Sequence, residues 1–278
     1  MTAVPTLLVP LDGYSSAMAA LPVARGLASL LDATVTLFYV GNEALAPDEL
    51  LGRIKLAQDD ARGLIIEQDT GSPADVIVRA ASARDAAFIV MIGAGRPSDP
   101  SCLFEGVTGG VLRMAPCPVV LVPPDRGQKP WVLRRVALPH DGTPTSAAAI
   151  APTANLASRA GAELLVIHVA TPGVAAPAEP GTFAAPRYLD HPHHEWPMWT
   201  SEFLERVRCA CHPARPEKIR LLVAQGESGE AILELARHNE SDLIALAWRG
   251  GLEPKRAKTI RRVVRGAHCP VIIFRVQP

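Results

Sequence analysis

The chain has 278 residues, 48% of them hydrophobic and 5% aromatic, and its 28 basic and 28 acidic side chains cancel. That length accommodates two ordinary domains, and the charge balance gives no reason to expect nucleic acid or an acidic membrane surface as a partner. No apolar run reaches the ~20 residues of a membrane span; no basic-then-apolar leader opens the sequence, and five scattered cysteines read as reduced thiols, so a soluble cytoplasmic protein is expected.

Residues 6–11 form a short apolar run closed by Asp12-Gly13, the pattern of a buried strand and its turn. An Ala/Leu-rich helix follows over 15–31, then a β-branched strand over 34–40 and an amphipathic helix over 48–62. A strand over 64–67 leads to Gly71, and Pro73 opens a helix to about residue 84. The strand 88–92 ends in Gly93-Ala94-Gly95; a loop and helix reaching residue 114 and a strand over 119–122 complete the series. Residues 125–130, polar and proline-bounded, make a hinge. Beyond it, strands are expected at 135–138, 163–169, 219–223, 243–247 and 271–274, with helices at 146–160, 200–211, 229–238 and 259–265. Alternation of helices with near-continuous apolar strands argues for parallel sheets covered on both faces.

The second series repeats the first. Leu7-Leu8-Val9-Pro10-Leu11-Asp12-Gly13 returns as Val136-Ala137-Leu138-Pro139-His140-Asp141-Gly142, and Ala115-Pro116-Cys117-Pro118 returns as Ala267-His268-Cys269-Pro270. Two copies of one domain are expected, at 1–125 and 131–278. Spacing between matched positions puts about 26 extra residues in the second copy, a Pro/His-rich insert at about 171–199, and about three fewer around its glycine loop.

The early strand with Pro-x-Asp-Gly, a late strand ending in glycine, and Ala-Pro-Cys-Pro-Val before the last strand together resemble the universal stress protein family in tandem form. The resemblance implies two doubly wound α/β domains with five-stranded parallel sheets, packed as an intramolecular pseudo-dimer through 119–122 and 271–274. It also implies a stress-response binding protein that takes ATP or another adenine nucleotide. In that family a loop Gly-x2-Gly-x9-Gly-Ser/Thr after the fourth strand holds phosphates, because glycines let backbone amides approach phosphate oxygens. Here Gly93 and Gly106 fit the first and third positions of the first copy, but Arg96 stands at the second and Val107 replaces the hydroxyl. In the second copy Ala247 and Gly250 take the first two positions, and Lys258 stands where the hydroxyl belongs. Lys255, Arg256, Arg261 and Arg262 flank Lys258; they read either as a solvated basic face or as a Coulombic phosphate site.

The adenine end is better kept. Pro10, Asp12 and Val40, and their counterparts Pro139, Asp141 and Val169, fall at strand carboxyl ends, where open parallel sheets bind ligands. The aspartates equally suit a simple turn and helix cap. Metal binding is not expected: the histidines His191, His193 and His194 lie among prolines, and Cys209 and Cys211, two apart on a helix, point to different sides. Cys117 and Cys269 read as inert core thiols, and Cys102 as loop filler. Trp196, Trp199 and Met198 read as apolar cover for their own domain. No nucleophile–base–acid set is found. Adjacent His140 and Asp141 face opposite sides of a strand, so an enzyme is not expected beyond slow ATP hydrolysis. A protein-interaction scaffold with vestigial pockets, having a protein partner or forming a homodimer, is the alternative.

Overall fold

The structure is a computed structural model that describes residues 4–12, 15–93, 106–170, 179–186, 195–214, 216–249 and 258–276. Arg96, Cys102, His191, His193, His194, Gly250, Lys255 and Arg256 lie outside these residues. Two units emerge, one of Met1–Val132 with His268–Ile273, the other of Leu133–Ala267 with Phe274–Pro278.

In the first unit β1 (Thr6–Leu11), β2 (Thr34–Gly41), β3 (Leu64–Thr70), β4 (Ala86–Ile92) and β5 (Val119–Val122) run parallel in the order β3-β2-β1-β4-β5. The central strands are the apolar runs, since both of their faces are covered: Leu7, Leu8, Leu37, Ile89 and Val90 are fully buried. Residues Val271–Ile273 of β10 (Val271–Arg275) pair antiparallel with Val119–Leu121. Helices α1 (Leu21–Leu31), α2 (Pro47–Ile54), α3 (Pro73–Ala83) and α4 (Gly106–Met114) connect the strands.

Two helices depart from expectation. The helix expected over 15–31 begins as a 3-10 turn, Ser15–Ala20, and becomes α-helical only at Leu21, because Pro22 has no amide proton to continue the ladder. The helix expected over 48–62 stops at Ile54. Lys55 turns left-handed, and the Leu56 amide closes back on the Leu51 carbonyl at 3.0 Å, a Schellman termination fixed by burial of Leu56. The same closure ends α1 at Asp32 in the first copy and α6 (Ile150–Ala160) at Gly161 in the second. Asp32, at φ 51°, holds a conformation that glycine adopts without penalty. Asp32→Gly is therefore expected to raise stability by about 0.5–1 kcal/mol, read as an increased urea midpoint.

The second unit repeats the order, with β9 (Leu243–Trp248), β6 (Arg135–Pro139), β7 (Glu163–Ala170) and β8 (Ile219–Gln225) as parallel neighbours. Its first expected helix is split into α5 (Pro144–Ala147) and α6, with Pro152 in the first turn of α6. Helix α7 (Glu195–Ala210) starts a turn earlier than expected, accommodating Pro197 near its beginning. Helices α8 (Ser228–His238) and α9 (Lys258–Gly266) complete the unit. Among the described residues no helix is long and apolar enough to cross a membrane.

Candidate ligand site at the strand ends of the second unit

Alternation along β6 and β7 sends neighbouring side chains to opposite faces. His140 and His168 go to the face covered by α7, where Phe203 and Trp199 pack against them, tilted or edge-on, at 4.6–5.4 Å between ring centres. Ile167 and Val169 go to the other side and line a cleft of about 720 Å³ at the carboxyl ends of the strands. Pro139, His140, Asp141 and Ala247 line it too, so four expected ligand positions of this copy, Pro139, Asp141, Val169 and Ala247, converge on one concavity.

Asp141 is solvent-exposed within this cleft. Its Oδ1 accepts hydrogen bonds from the Thr143 amide at 3.0 Å, the Thr143 hydroxyl at 2.7 Å and the Ser146 hydroxyl at 2.7 Å. Its recessed position works against the charge, but the bonds from Ser146 and Thr143 outweigh that and hold the carboxyl below its ordinary range. Thr143 in turn caps α5 by accepting from the Ser146 amide. The turn-and-cap role of Asp141 thus uses Oδ1. Among the described residues Oδ2 takes no hydrogen bond, which leaves this lining residue one open acceptor.

A contact not expected from sequence joins His140 Nδ1 to the Ser146 hydroxyl. Burial pushes His140 down to about 4, against the pull of Asp141 and with help from His168, so the ring is neutral near pH 7. The Ser146 hydroxyl reaches both Asp141 Oδ1 and His140 Nδ1, and the tautomer of the ring decides which of the two takes its proton. A serine nucleophile requires that the imidazole receive it. His168 is lowered by burial as well, opposed by its 3.0 Å hydrogen bond to the His140 carbonyl and by Asp141.

The insert reaches the cleft through Glu179 and Pro180. Glu179 accepts from the Thr145 amide at 3.1 Å, from the Thr145 hydroxyl at 2.9 Å and from Arg249, with which it forms an ion pair. Four residues on, the Phe183 amide donates to the Gly142 carbonyl at 2.9 Å. Gly142 has φ +85°, and a β-carbon there would lie 2.3 Å from the Phe183 carbonyl oxygen, so only glycine permits this seat. Phe183 lies parallel to Trp199 at 6.0 Å, and Arg206 covers its ring at 4.1 Å. Trp196 and Trp199 are buried against their own unit, while Met198 is 73% exposed.

The remaining expected positions divide. Lys258 does not line the cleft; it pairs with Glu227 at 3.6 Å, and its neighbour Arg262 pairs with Glu230. In the first unit Pro10 is half-buried, Asp12 exposed and Val40 buried at the strand ends, Gly93 donates to the Val122 carbonyl at 2.9 Å, and Gly106 opens α4 at φ +61°. Thr143, Thr145, Ser146, Glu179 and Arg249 were not singled out from sequence. Comparison of the copies at a spacing of 129 finds part of this set: Tyr14 and Ala17 become Thr143 and Ser146. Cys117 has its thiol pushed up to about 11 by burial, Cys209 is exposed and Cys211 buried. Among the described residues no group of three His, Cys, Asp or Glu side chains is placed to hold a metal ion.

These features define a tandem pair of parallel α/β units, with a polar-rimmed cleft at the strand carboxyl ends of the second. The sequence pattern of the Universal stress protein family matches residues 4–123 and again 133–275, and the chain belongs to that family. A universal stress protein from Archaeoglobus fulgidus DSM 4304 has a similar fold, with TM-score 0.65 and 18% identity over 98% of this chain and 96% of its own. A functionally unknown protein from Pseudomonas aeruginosa PAO1 gives TM-score 0.60 and 17% identity over 98% and 93%. No curated protein matches.

Proposed function

We propose that this chain is a cytoplasmic stress-response binding protein whose second unit takes an adenine nucleotide or a closely related adenine-bearing ligand. The observation that carries the reading is the convergence of Pro139, Asp141, Val169 and Ala247 on one cleft with Asp141 Oδ2 open. Apolar Ile167, Val169, Ile232 and Leu246 suit the faces of a purine, and a carboxylate oxygen suits a sugar hydroxyl or an exocyclic amine. We infer no catalytic cycle, since among the described residues Asp141 bonds to Thr143 and Ser146 and not to His140, so it does not orient the ring as the carboxylate of a serine triad does.

The scaffold reading draws on one observation: Arg249, the guanidinium in the cleft lining, is already paired with Glu179. Thermal melting separates the two. A ligand that binds only the folded protein raises Tm by mass action, and at a hundredfold excess over Kd stabilises by about 2.7 kcal/mol. A rise with at least one of adenosine, ATP, ADP and AMP, lost in Asp141→Ala, is the expected result. No shift with any of the four at millimolar concentration would leave the scaffold reading in its place.

A further inference from the structure

We propose that Glu179 is a built-in anion of the cleft that excludes phosphate-bearing ligands, so that the second unit takes an uncharged purine nucleoside. This rests on the reading of the cleft as an adenine-ligand site and narrows its ligand class.

Among the described residues lining the cleft, the carboxylates of Asp141 and Glu179 face a single guanidinium, Arg249, and His140 is neutral. These described side chains therefore carry one negative charge in excess, where a site for a triphosphate needs a surplus of cations or a cradle of free amides. Of the five cations that sequence placed by the phosphate end, Lys258 is paired with Glu227 and Arg262 with Glu230, while Lys255 and Arg256 lie outside the described residues.

Glu179 is also held in place. Its side chain is only 16% exposed, and Thr145 gives it both an amide and a hydroxyl hydrogen bond. Behind it the chain turns at Gly181, with the Thr182 amide and hydroxyl both donating to the Glu179 carbonyl, and Phe183 is seated on Gly142. A phosphate reaching Arg249 would have to displace a carboxylate fixed at several points, or lie beside it and be repelled. An uncharged nucleoside needs neither, since its hydroxyls and amine can donate to Asp141 Oδ2 while Glu179 keeps Arg249.

The test is calorimetric titration of the full chain with adenosine, AMP and ATP. Wild type is expected to bind adenosine at least tenfold more tightly than ATP, with AMP between them. Glu179→Gln, which keeps the shape and removes the charge, is expected to tighten ATP binding at least tenfold and to leave adenosine within about threefold. In Glu179→Gln combined with Arg249→Gln the ATP gain should vanish, which a mere loosening of the insert would not produce. Equal affinity of wild type for ATP and adenosine would overturn the proposal without touching the cleft reading, as would an unchanged ratio in Glu179→Gln. Absence of binding by every ligand to wild type and variant alike would overturn the cleft reading and the proposal with it. The wild-type ratio needs no variant, so a misfolded substitution does not shelter the idea.

Discussion

Phe203→Ala is expected to remove about 3–5 kcal/mol of stability, a large fraction of what holds a typical domain folded. Phe203 is 1% exposed, and its ring lies against His140 at 4.9 Å, His168 at 5.4 Å, Trp199 at 4.6 Å and Phe183 at 6.3 Å. Truncation loses the apolar transfer energy of the ring and opens a cavity whose walls are aromatic plates that cannot collapse into it. Urea denaturation followed by far-UV circular dichroism measures the loss. Met198→Ala, on the same helix but exposed, is the control and should change stability by less than about 0.5 kcal/mol. A loss under ~1 kcal/mol at Phe203 would mean that α7 does not form part of the cooperative core.

The second large effect is acid sensitivity. An unfolded histidine titrates near 6.5, whereas burial holds His140 in the folded protein at about 4. Between those values the unfolded chain binds the extra proton, so stability falls as pH drops below 6.5, and the loss is complete only below about 4. From pH 7 to pH 5 this one ring should cost about 2 kcal/mol, and His168, lowered by the same burial, adds in the same direction. His140→Asn keeps a donor for Ser146 without a titrating ring, and should flatten the decline by about that amount whatever it costs at pH 7. An acid slope identical in the variant would remove His140 as its source. Phe203→Ala links the two predictions, because hydrating the rings returns them toward 6.5 and weakens the same slope.

The scaffold of the fold was legible because its signals are local. Apolar runs punctuated by Asp-Gly and proline placed the strands, and the repeat of Pro-x-Asp-Gly and x-Cys-Pro-Val aligned the copies. Helix ends were less legible. Pro22 and Pro152 split or delayed helices whose composition reads as continuous, and α2 ended early because Leu56 buries itself after a left-handed Lys55. In the site, Asp141 was legible from its place at a strand end. Its partners Thr143 and Ser146 needed comparison with the other copy, where Tyr14 and Ala17 offer no equivalent hydroxyls in register. Glu179 was not legible at all, since the insert has no counterpart and Thr145 and Arg249 are 34 and 70 positions away. The pairing of Lys258 and Arg262 with the first turn of α8 is long-range in the same way, and sequence alone showed only a run of cations.

The seat of Phe183 on Gly142 has an optical consequence. Trp199 lies parallel to Phe183 with Trp196 edge-on to it, and Trp248 lines the cleft itself. Trp131 is buried in the first unit. The protein therefore carries three indoles in the second unit, one of them in the cleft lining, and one in the first unit that serves as an internal reference. A shift in emission on adding a ligand would report events in the second copy without any label.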